Sequence, residues 1–538
     1  MAAGAYEALV AGFRWSIPPA FNIAAACLDR WAGEDPSRPA LIRYAADGTL
    51  TPIGFAELRR ITDALAHALK LRGIGARDRV AILLPQSAEA LAAHFAAYKL
   101  AAIAVPLAAL FGEDALRFRL AAAGARAVIT DGAGAARIAG IRRDIPDLET
   151  VLSVDGAAEG AEDFTAALAS HRDPFRAAAT GPDDPALMIF TSGTTGPPKG
   201  ALHGHRVLLG HLPGFAFTHA GIPSAGDRMW TPSDWAWAGG LLNALLPSLY
   251  HGVPVVFGPF RPFDPGEAYA LMAGAGVRNA FLPPTALKLM AAAPPPRVAL
   301  NLRTLGAAGE SLGREAFEWS KRVLGIPVDE FYGQTECNYV LGSSAAAGVS
   351  RAGAIGRPIP GHDVRVVNAA GMEAATDEPG EIMVRRPDPV MFLGYWRDPH
   401  ASAAKFSGEW LRTGDQAVRD ADGYVRFLGR DDDIIISAGY RIGPAEVEDC
   451  LAAHPAVAMA AAVGKPHPVR TEIVKAYVVV RPGFDATPAL AEELRLFVRA
   501  RLSAAEYPRE VAFVEALPMT TTGKVIRRAL KERAAAEK

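Results

Sequence analysis

The first three hundred residues alternate helix-period stretches with short apolar runs. Residues 55–72 put Leu58, Ile61, Leu65 and Leu69 on one helical face, and Gly73 supplies a stop. VAILLP (80–85) follows at strand length, then a helical stretch over 88–100 and a second apolar run, AIAVPL, at 103–108. A helix over 113–123 stops at Gly124 and leads into AVIT at 127–130. The alternation resumes with ALMIF (186–190), PVVF (254–257), NAFL (279–282) and RTLGA (303–307). Apolar runs that alternate with helices predict a parallel sheet with helices on its faces. Residues 131–180 are rich in Ala, Gly and Asp and carry no clear period. The charge-free stretch 235–260 is long enough for a bilayer span, but it contains Asn243, Pro247, His251 and Pro254. It is read as an interior helix, turn and strand, with no membrane span.

After about residue 345 the pattern shortens. DVRVVN (363–368) and GEIMVRR (380–386) are separated by turn signals such as DEPG and ADG, which predicts a small antiparallel sheet or barrel. From about 431 a compact α+β unit begins, with helices near 444–453 and 489–502 and strands at 458–463, 475–480 and 510–515. GRDDD (429–433) between them suits a linker or hinge. The expected fold class is therefore α/β. A large N-terminal domain (1–430) has parallel-sheet α/β layers plus a small β-barrel-like part, and a mobile α+β domain covers 431–538.

Composition removes several function classes. In 538 residues, 50% hydrophobic and 21% charged content excludes a largely disordered chain. Lys and Arg (56) nearly balance Asp and Glu (58), so the basic excess of a nucleic-acid partner is missing. Cys27, Cys337 and Cys450 are odd in number and show no metal spacing, which points to reduced thiols in a cytoplasmic protein. The N-terminus lacks the pattern of a signal peptide.

The strongest chemical signal is TSGTTGPPKG (191–200), directly after ALMIF. Thr191, Ser192, Thr194 and Thr195 offer hydroxyls, Gly193 and Gly196 let backbone approach a ligand, and Lys199 adds charge. Such a loop suits a polyphosphate. It is not the G-x-x-x-x-G-K-[ST] loop, because Gly200 follows Lys199. A rival of another class is a serine hydrolase, since Gly309-Glu310-Ser311-Leu312-Gly313 fits G-x-S-x-G between a strand-like and a helix-like segment. Asp388, His400 and His454 would be its candidate partners.

Six motifs in order resemble the AMP-forming acyl-CoA synthetases of the adenylate-forming superfamily: TSGTTGPPKG, AAGES (307–311), YGQTE (332–336), RTGD (412–415), GRDDDIIISAGYRIGPAEVE (429–448) and TTTGKVIRR (520–528). The resemblance spans nearly the whole chain and is strongest to the medium-chain synthetases. It implies ATP, Mg²⁺ and CoA as ligands and a small carboxylic acid as substrate. In its terms loop 191–200 holds the β/γ-phosphates, while Gly309, Glu310 and Ser311, with Tyr332, Gly333 and Gln334, line the nucleotide pocket. Thr335 would donate to the α-phosphate, Glu336 would hold Mg²⁺, and Asp415 would take both ribose hydroxyls with Arg430 beside it. Lys524 would be the catalytic lysine, carried on a flexible loop with Thr522 and Gly523, and Asp432 the hinge. Ser437, Gly439 and Arg441 would meet the pantetheine of CoA. Trp237 and Gly239 match the segment that flanks the acyl pocket. Acetate-restricted members carry tryptophan where this chain has Gly333, so the pocket is expected to extend and admit medium-chain, branched or aromatic acids. A free carrier protein is the alternative acceptor, since no carrier domain follows Lys524. Acetylation would cancel the Lys524 charge, which would make a lysine acetyltransferase and deacetylase regulatory partners. His203, His205 and His211 lack metal-ligand spacing and are read as structural or substrate-adjacent.

Overall fold

The computed structural model describes residues 4–191, 197–259, 262–437, 440–468, 470–502, 506–520 and 524–537. Two large sheets dominate the N-terminal part. In one, strands Arg79–Leu83, Ile103–Pro106, Ala127–Thr130, Thr150–Ser153 and Pro185–Thr191 run parallel. Lys199–Gly204 returns antiparallel along Pro185–Thr191 and carries Gly394–Tyr395 on its outer edge. In the other, Pro39–Tyr44, Val255–Phe257, Met229–Trp230, Asn279–Phe281, Thr304–Ala307 and Asp329–Gln334 run parallel in that spatial order. Cys337–Gly342 then turns back antiparallel on Asp329–Gln334.

Helix Ala88–Lys99 explains how the layers join. Every residue but Glu89 is buried, so it has no solvent face. A helix apolar all round must lie inside the protein. It shares one buried cluster with Ile129 and Leu187 of the first sheet and Leu41, Val255 and Phe331 of the second. Its single buried cation is Lys99, whose Nζ meets Asp63 Oδ1 at 2.5 Å, Asp29 Oδ1 at 2.6 Å and the Phe175 carbonyl at 3.3 Å. The stretch 235–260 is likewise interior: Leu241–Leu245 and Leu246–Tyr250 are buried helical turns that lead to strand Val255–Phe257. Among the described residues no helix is long and apolar enough to cross a membrane.

A five-stranded antiparallel sheet built around Gly380–Arg385 and Trp410–Arg419 follows. The last unit packs helices Pro444–Ala452 and Pro488–Arg501 on a sheet of Ile435–Ser437, Tyr440–Ile442, Val457–His467, Thr471–Val480 and Glu510–Phe513. The opaque stretch 131–180 holds helix Gly132–Ile141 and strand Thr150–Ser153, whose Gly/Ala-rich sequence hides the period.

Buried histidines shape the pH response. Burial holds His94, His203 and His219 down to about 3, and His205, His211 and His251 to about 4. The unfolded chain protonates these six below pH 6.5, so each favours unfolding as pH falls through that value. Four buried carboxyls act the other way, with Asp329 and Glu330 raised to about 7 and Asp234 and Asp449 to about 6. Their contribution is full below pH about 4 and is lost as pH rises through 6–7. Burial also raises Asp29, Glu310 and Asp415 on the side of the carboxyls. The six histidines, each losing its contribution throughout this interval, are expected to prevail and to lower the thermal midpoint from pH 6.5 to 5. A midpoint that rises on acidification in a buffer series would refute this balance.

Candidate active site

Two hairpins approach each other at the ends of the large sheets. In the first, Thr191 pairs with Lys199, the last paired residues of Pro185–Thr191 and its return strand. Gln334 pairs with Cys337, which leaves Thr335 and Glu336 as the two-residue tip of the second hairpin. Tyr395 joins them. Its backbone pairs with Ala201, its ring lies 5.3 Å from Lys199 Nζ, and its hydroxyl donates to Glu336 Oε1 at 2.5 Å. Phe392 N donates to the Glu336 carbonyl at 2.9 Å. Glu336 is buried, and Oε2 takes no hydrogen bond among the described residues. Burial, with the Glu336 carboxylate beside it, pushes the Tyr395 phenol well up. Ser192, Gly193, Thr194, Thr195 and Gly196 lie outside the described residues.

The second cluster centres on Asp415, from strand Trp410–Arg419. Its Oδ2 accepts from Tyr332 Oη at 2.6 Å and Gln334 Nε2 at 2.6 Å, and Oδ1 accepts from Arg430 Nη1 at 3.2 Å. A carboxylate offers about four acceptor positions, so three donors leave room for one more. Burial raises Asp415, and Arg430 opposes that shift. Arg430 also reaches Asp432 Oδ1 at 3.1 Å, so it pairs with the hinge candidate as well as with Asp415. Asp431 N donates to the Gly414 carbonyl at 2.8 Å, and Lys531 Nζ donates to the Asp432 carbonyl.

The third group brings the C-terminal unit onto the sheets. Gly309 has φ of 103°, and a Cβ there would stand 3.9 Å from Lys524 Cε. Lys524 therefore lies against the AAGES segment. Glu310 beside it is raised by burial, with Lys288, Lys524 and Arg527 pulling the other way, and it accepts from Thr285 Oγ1 at 2.8 Å. Ser311 lines a small cavity of about 30 Å³ with Glu330, Arg426, Glu446 and Asp449. The hydrolase reading fails here. Asp388 is paired with His362 Nδ1 at 2.7 Å, His454 Nε2 is paired with Glu493 at 3.1 Å, and no histidine lines the Ser311 cavity among the described residues. The G-x-S-x-G match is a by-product of a turn, with Gly313 at φ 79° set close to Asp449.

Gly333 needs a correction. A Cβ on it would sit 2.4 Å from Tyr339 N and 2.6 Å from Asn338 Cα. The space that was expected to lengthen the acyl pocket is filled by backbone, and glycine is there for that close approach. Gly333→Ala should therefore depress turnover with acetate and benzoate alike and lower stability by about 1–3 kcal/mol, the usual cost of overpacking. Selective loss of benzoate would mean that the Cβ meets the acyl group instead. Gly239 faces Phe281, whose Cε1 would be 3.1 Å from an added Cβ, and Trp237 packs edge-on to Phe111 with centroids 5.9 Å apart. Behind Gly333, Asn338 Nδ2 donates to Asn243 Oδ1 at 2.7 Å.

The remaining sequence candidates scatter. Ser437 is buried at the end of strand Ile435–Ser437, between Tyr440 on one side and Thr471 on the other. Gly439, the Arg441 side chain, Thr522 and Gly523 lie outside the described residues. His205 Nδ1 accepts from Ile23 N at 3.2 Å, and His211 Nδ1 meets the Val207 carbonyl at 2.6 Å. Each ring spends one nitrogen on backbone, and Nε2 of both is buried with no hydrogen bond among the described residues. Sequence reading passed over Tyr395 and Lys405, whose Nζ reaches Gln334 Oε1 at 3.5 Å. The aromatic run GYW (394–396) after a hydrophobic stretch was the available signal for Tyr395.

Comparison with known proteins agrees with this geometry. The AMP-binding enzyme family matches residues 28–396, and the AMP-binding enzyme C-terminal domain matches 446–524. Acetyl-coenzyme A synthetase of Bacillus subtilis (strain 168) is 32% identical over 519 residues, covering 95% of this chain and 90% of the relative. Acyl-coenzyme A synthetase ACSM4, mitochondrial, of Homo sapiens is 32% identical over 534 residues, covering 96% and 91%. The solved structure of the anthranilate CoA ligase AuaEII in complex with anthranoyl-AMP superposes with a TM-score of 0.89 at 26% identity, covering 96% of this chain and 98% of that one. With hairpin tips, a buried aspartate and a C-terminal lysine gathered at the sheet ends, and with these matches along its length, the chain belongs to the AMP-binding enzyme family, among the adenylate-forming acyl-CoA ligases.

Proposed function

We propose that this chain joins a carboxylic acid to CoA in two half-reactions that use one pocket. The acid's carboxylate oxygen attacks the α-phosphorus of ATP, and pyrophosphate leaves as acyl-adenylate forms. The CoA thiol, having lost its proton, then attacks the acyl carbon and AMP leaves. The observation that carries this reading is the placement of Lys524 against Gly309, on the side of the large domain that also holds Asp415 and Tyr332. Its ammonium supplies positive charge where negative charge grows in the first step. Loop 191–200 with Lys199 receives the outer phosphates, and Asp415 receives the ribose hydroxyls by giving up one of its present donors. Thr335 donates to the α-phosphate.

Glu336 fits a hard cation, because a buried carboxylate with one oxygen unclaimed faces the phosphate hairpin. Magnesium held there with the substrate phosphates would neutralise charge on the triphosphate.

We place the domain boundary at 430/431 and the pivot at Asp432, where Arg430 and Lys531 converge. Rotation there withdraws Lys524 and admits Ser437, Gly439 and Arg441 to the thiol. For the acid, support comes from the solved neighbours, which include an anthranilate CoA ligase and a benzoate CoA ligase at 26% and 27% identity, and points to an aromatic acid. Free, buried cysteines accord with a cytoplasmic setting.

The test is AMP release from ATP and Mg²⁺ with acetate, butyrate, isobutyrate, octanoate or benzoate, with and without CoA. AMP that depends on both acid and CoA supports the reading. Adenylate formation that CoA fails to discharge would move the acceptor to a carrier protein. No acid-dependent AMP at all would overturn it.

A further inference from the structure

We propose that Tyr395 is a positioning residue that sets the magnesium carboxylate and the phosphate-loop lysine in one arrangement. The proposal rests on the assignment of Glu336 above and goes beyond it, because Tyr395 belongs to none of the motifs that carry the family resemblance.

The geometry is specific. The Tyr395 hydroxyl donates to Glu336 Oε1, which leaves Oε2 as the oxygen without a protein donor among the described residues. A carboxylate held by one oxygen cannot swing about its last torsion, so the other oxygen is aimed in advance. Partners of this kind orient a ligating carboxylate and tune its affinity for a cation. The opposite function of the same ring is to seat Lys199, whose Nζ lies 5.3 Å from its centroid. The tyrosine itself has little freedom. Its backbone pairs with Ala201 on the return strand of the phosphate hairpin, its N–H donates to Ser402 Oγ at 2.7 Å, and Phe392 packs edge-on with centroids 5.0 Å apart. The Phe392 N–H in turn holds the Glu336 carbonyl. One segment therefore joins both hairpins, holding the return strand at Ala201 and Lys199 and the turn that bears Thr335 and Glu336. This explains why a half-buried phenol stands against a buried carboxylate at all. A phenylalanine would fill the same space without bringing a second polar group out of water.

The two contacts separate by substitution. Tyr395→Phe removes the hydroxyl and keeps the ring over Lys199. ATP binding is measured by calorimetry on the full chain, once with Mg²⁺ and once in EDTA. Tyr395→Phe is expected to weaken ATP binding in Mg²⁺ by about 10-fold or more, the usual effect of losing a partner behind a metal ligand. Binding in EDTA should stay unchanged. Tyr395→Leu, which also loses the ring face, should weaken both. In a Glu336→Gln background Tyr395→Phe should add nothing, since the hydroxyl acts through that carboxylate. Equal weakening of Tyr395→Phe with and without Mg²⁺, no weakening in either, or full additivity with Glu336→Gln would overturn the proposal. A parent protein whose ATP affinity ignores Mg²⁺ would overturn it together with the Glu336 assignment. The ligase reading is judged apart from this, by acid-dependent AMP release.

Discussion

Lys524→Ala is expected to slow acyl-adenylate formation by about 10²–10³-fold, the usual cost of one charge-stabilising donor. ATP should bind it nearly as well as the parent. The reason is positional. Lys524 stands on the segment 524–537, yet its ε-carbon reaches the backbone of Gly309, where an added Cβ would be 3.9 Å away. On the function proposed above, the ground-state nucleotide would keep Asp415, Tyr332, Gln334 and the phosphate hairpin, and the contacts of Asp415 with Tyr332 and Gln334 do not involve this lysine. Only the transition state, with charge gathering between carboxylate and α-phosphate, loses its cation. Exchange of labelled pyrophosphate into ATP in the presence of acid reads the first half-reaction, and calorimetry reads nucleotide binding. Preformed acyl-adenylate should still pass to CoA at the parent rate, because in the proposed sequence that step would follow withdrawal of the lysine. Acetyl-lysine at 524 should behave as alanine does. Parent-level exchange in Lys524→Ala would remove this residue from the mechanism.

Lys99→Met should destabilise the chain by about 3–5 kcal/mol, the usual result of taking one partner from a buried ionic cluster. Lys99 is 1% exposed and joins three separate pieces: helix Phe55–Leu71 through Asp63, the turn Ala25–Asp29 through Asp29, and the loop at Phe175. Methionine fills much the same volume, so packing is nearly kept while two carboxylates are left facing apolar neighbours. Burial already raises Asp29 against the pull of Lys99, and without the cation that shift should grow. The deficit should therefore be smaller at pH 5 than at pH 8, because protonation relieves the stranded acids. Urea unfolding at the two pH values measures both effects. A deficit that is independent of pH would mean that lost packing, and not stranded charge, is the cause. Adding Asp63→Asn to Lys99→Met should recover part of the loss.

Much of this protein is written locally. Helix Glu113–Ala123 and strand Ala127–Thr130 appear where the period and Gly124 placed them, because burial of one face repeats at a fixed spacing. The polar Gly-rich segment after a buried strand, YGQTE and RTGD stand out in the sequence because each is one short segment with its own chemistry. What the order of residues alone left open is how segments meet. Gly333 has its value from the backbone of Asn338 and Tyr339 pressing on it, which turns a presumed enlargement of the pocket into a packing requirement. Ser311 sits in a well-formed G-x-S-x-G, yet the fold gives it acids and an arginine for neighbours and sends His362 to Asp388. Nothing in the sequence beyond the GYW run singles out Tyr395; two sheets bring its hydroxyl to Glu336. Lys524 meets Gly309 only because the C-terminal unit docks on the large domain. The amino-acid sequence by itself determined the elements, the family and the chemical groups available. The tertiary structure decided which of those groups share a site, because contacts between hairpin tips depend on how whole sheets stack, and no local period encodes that.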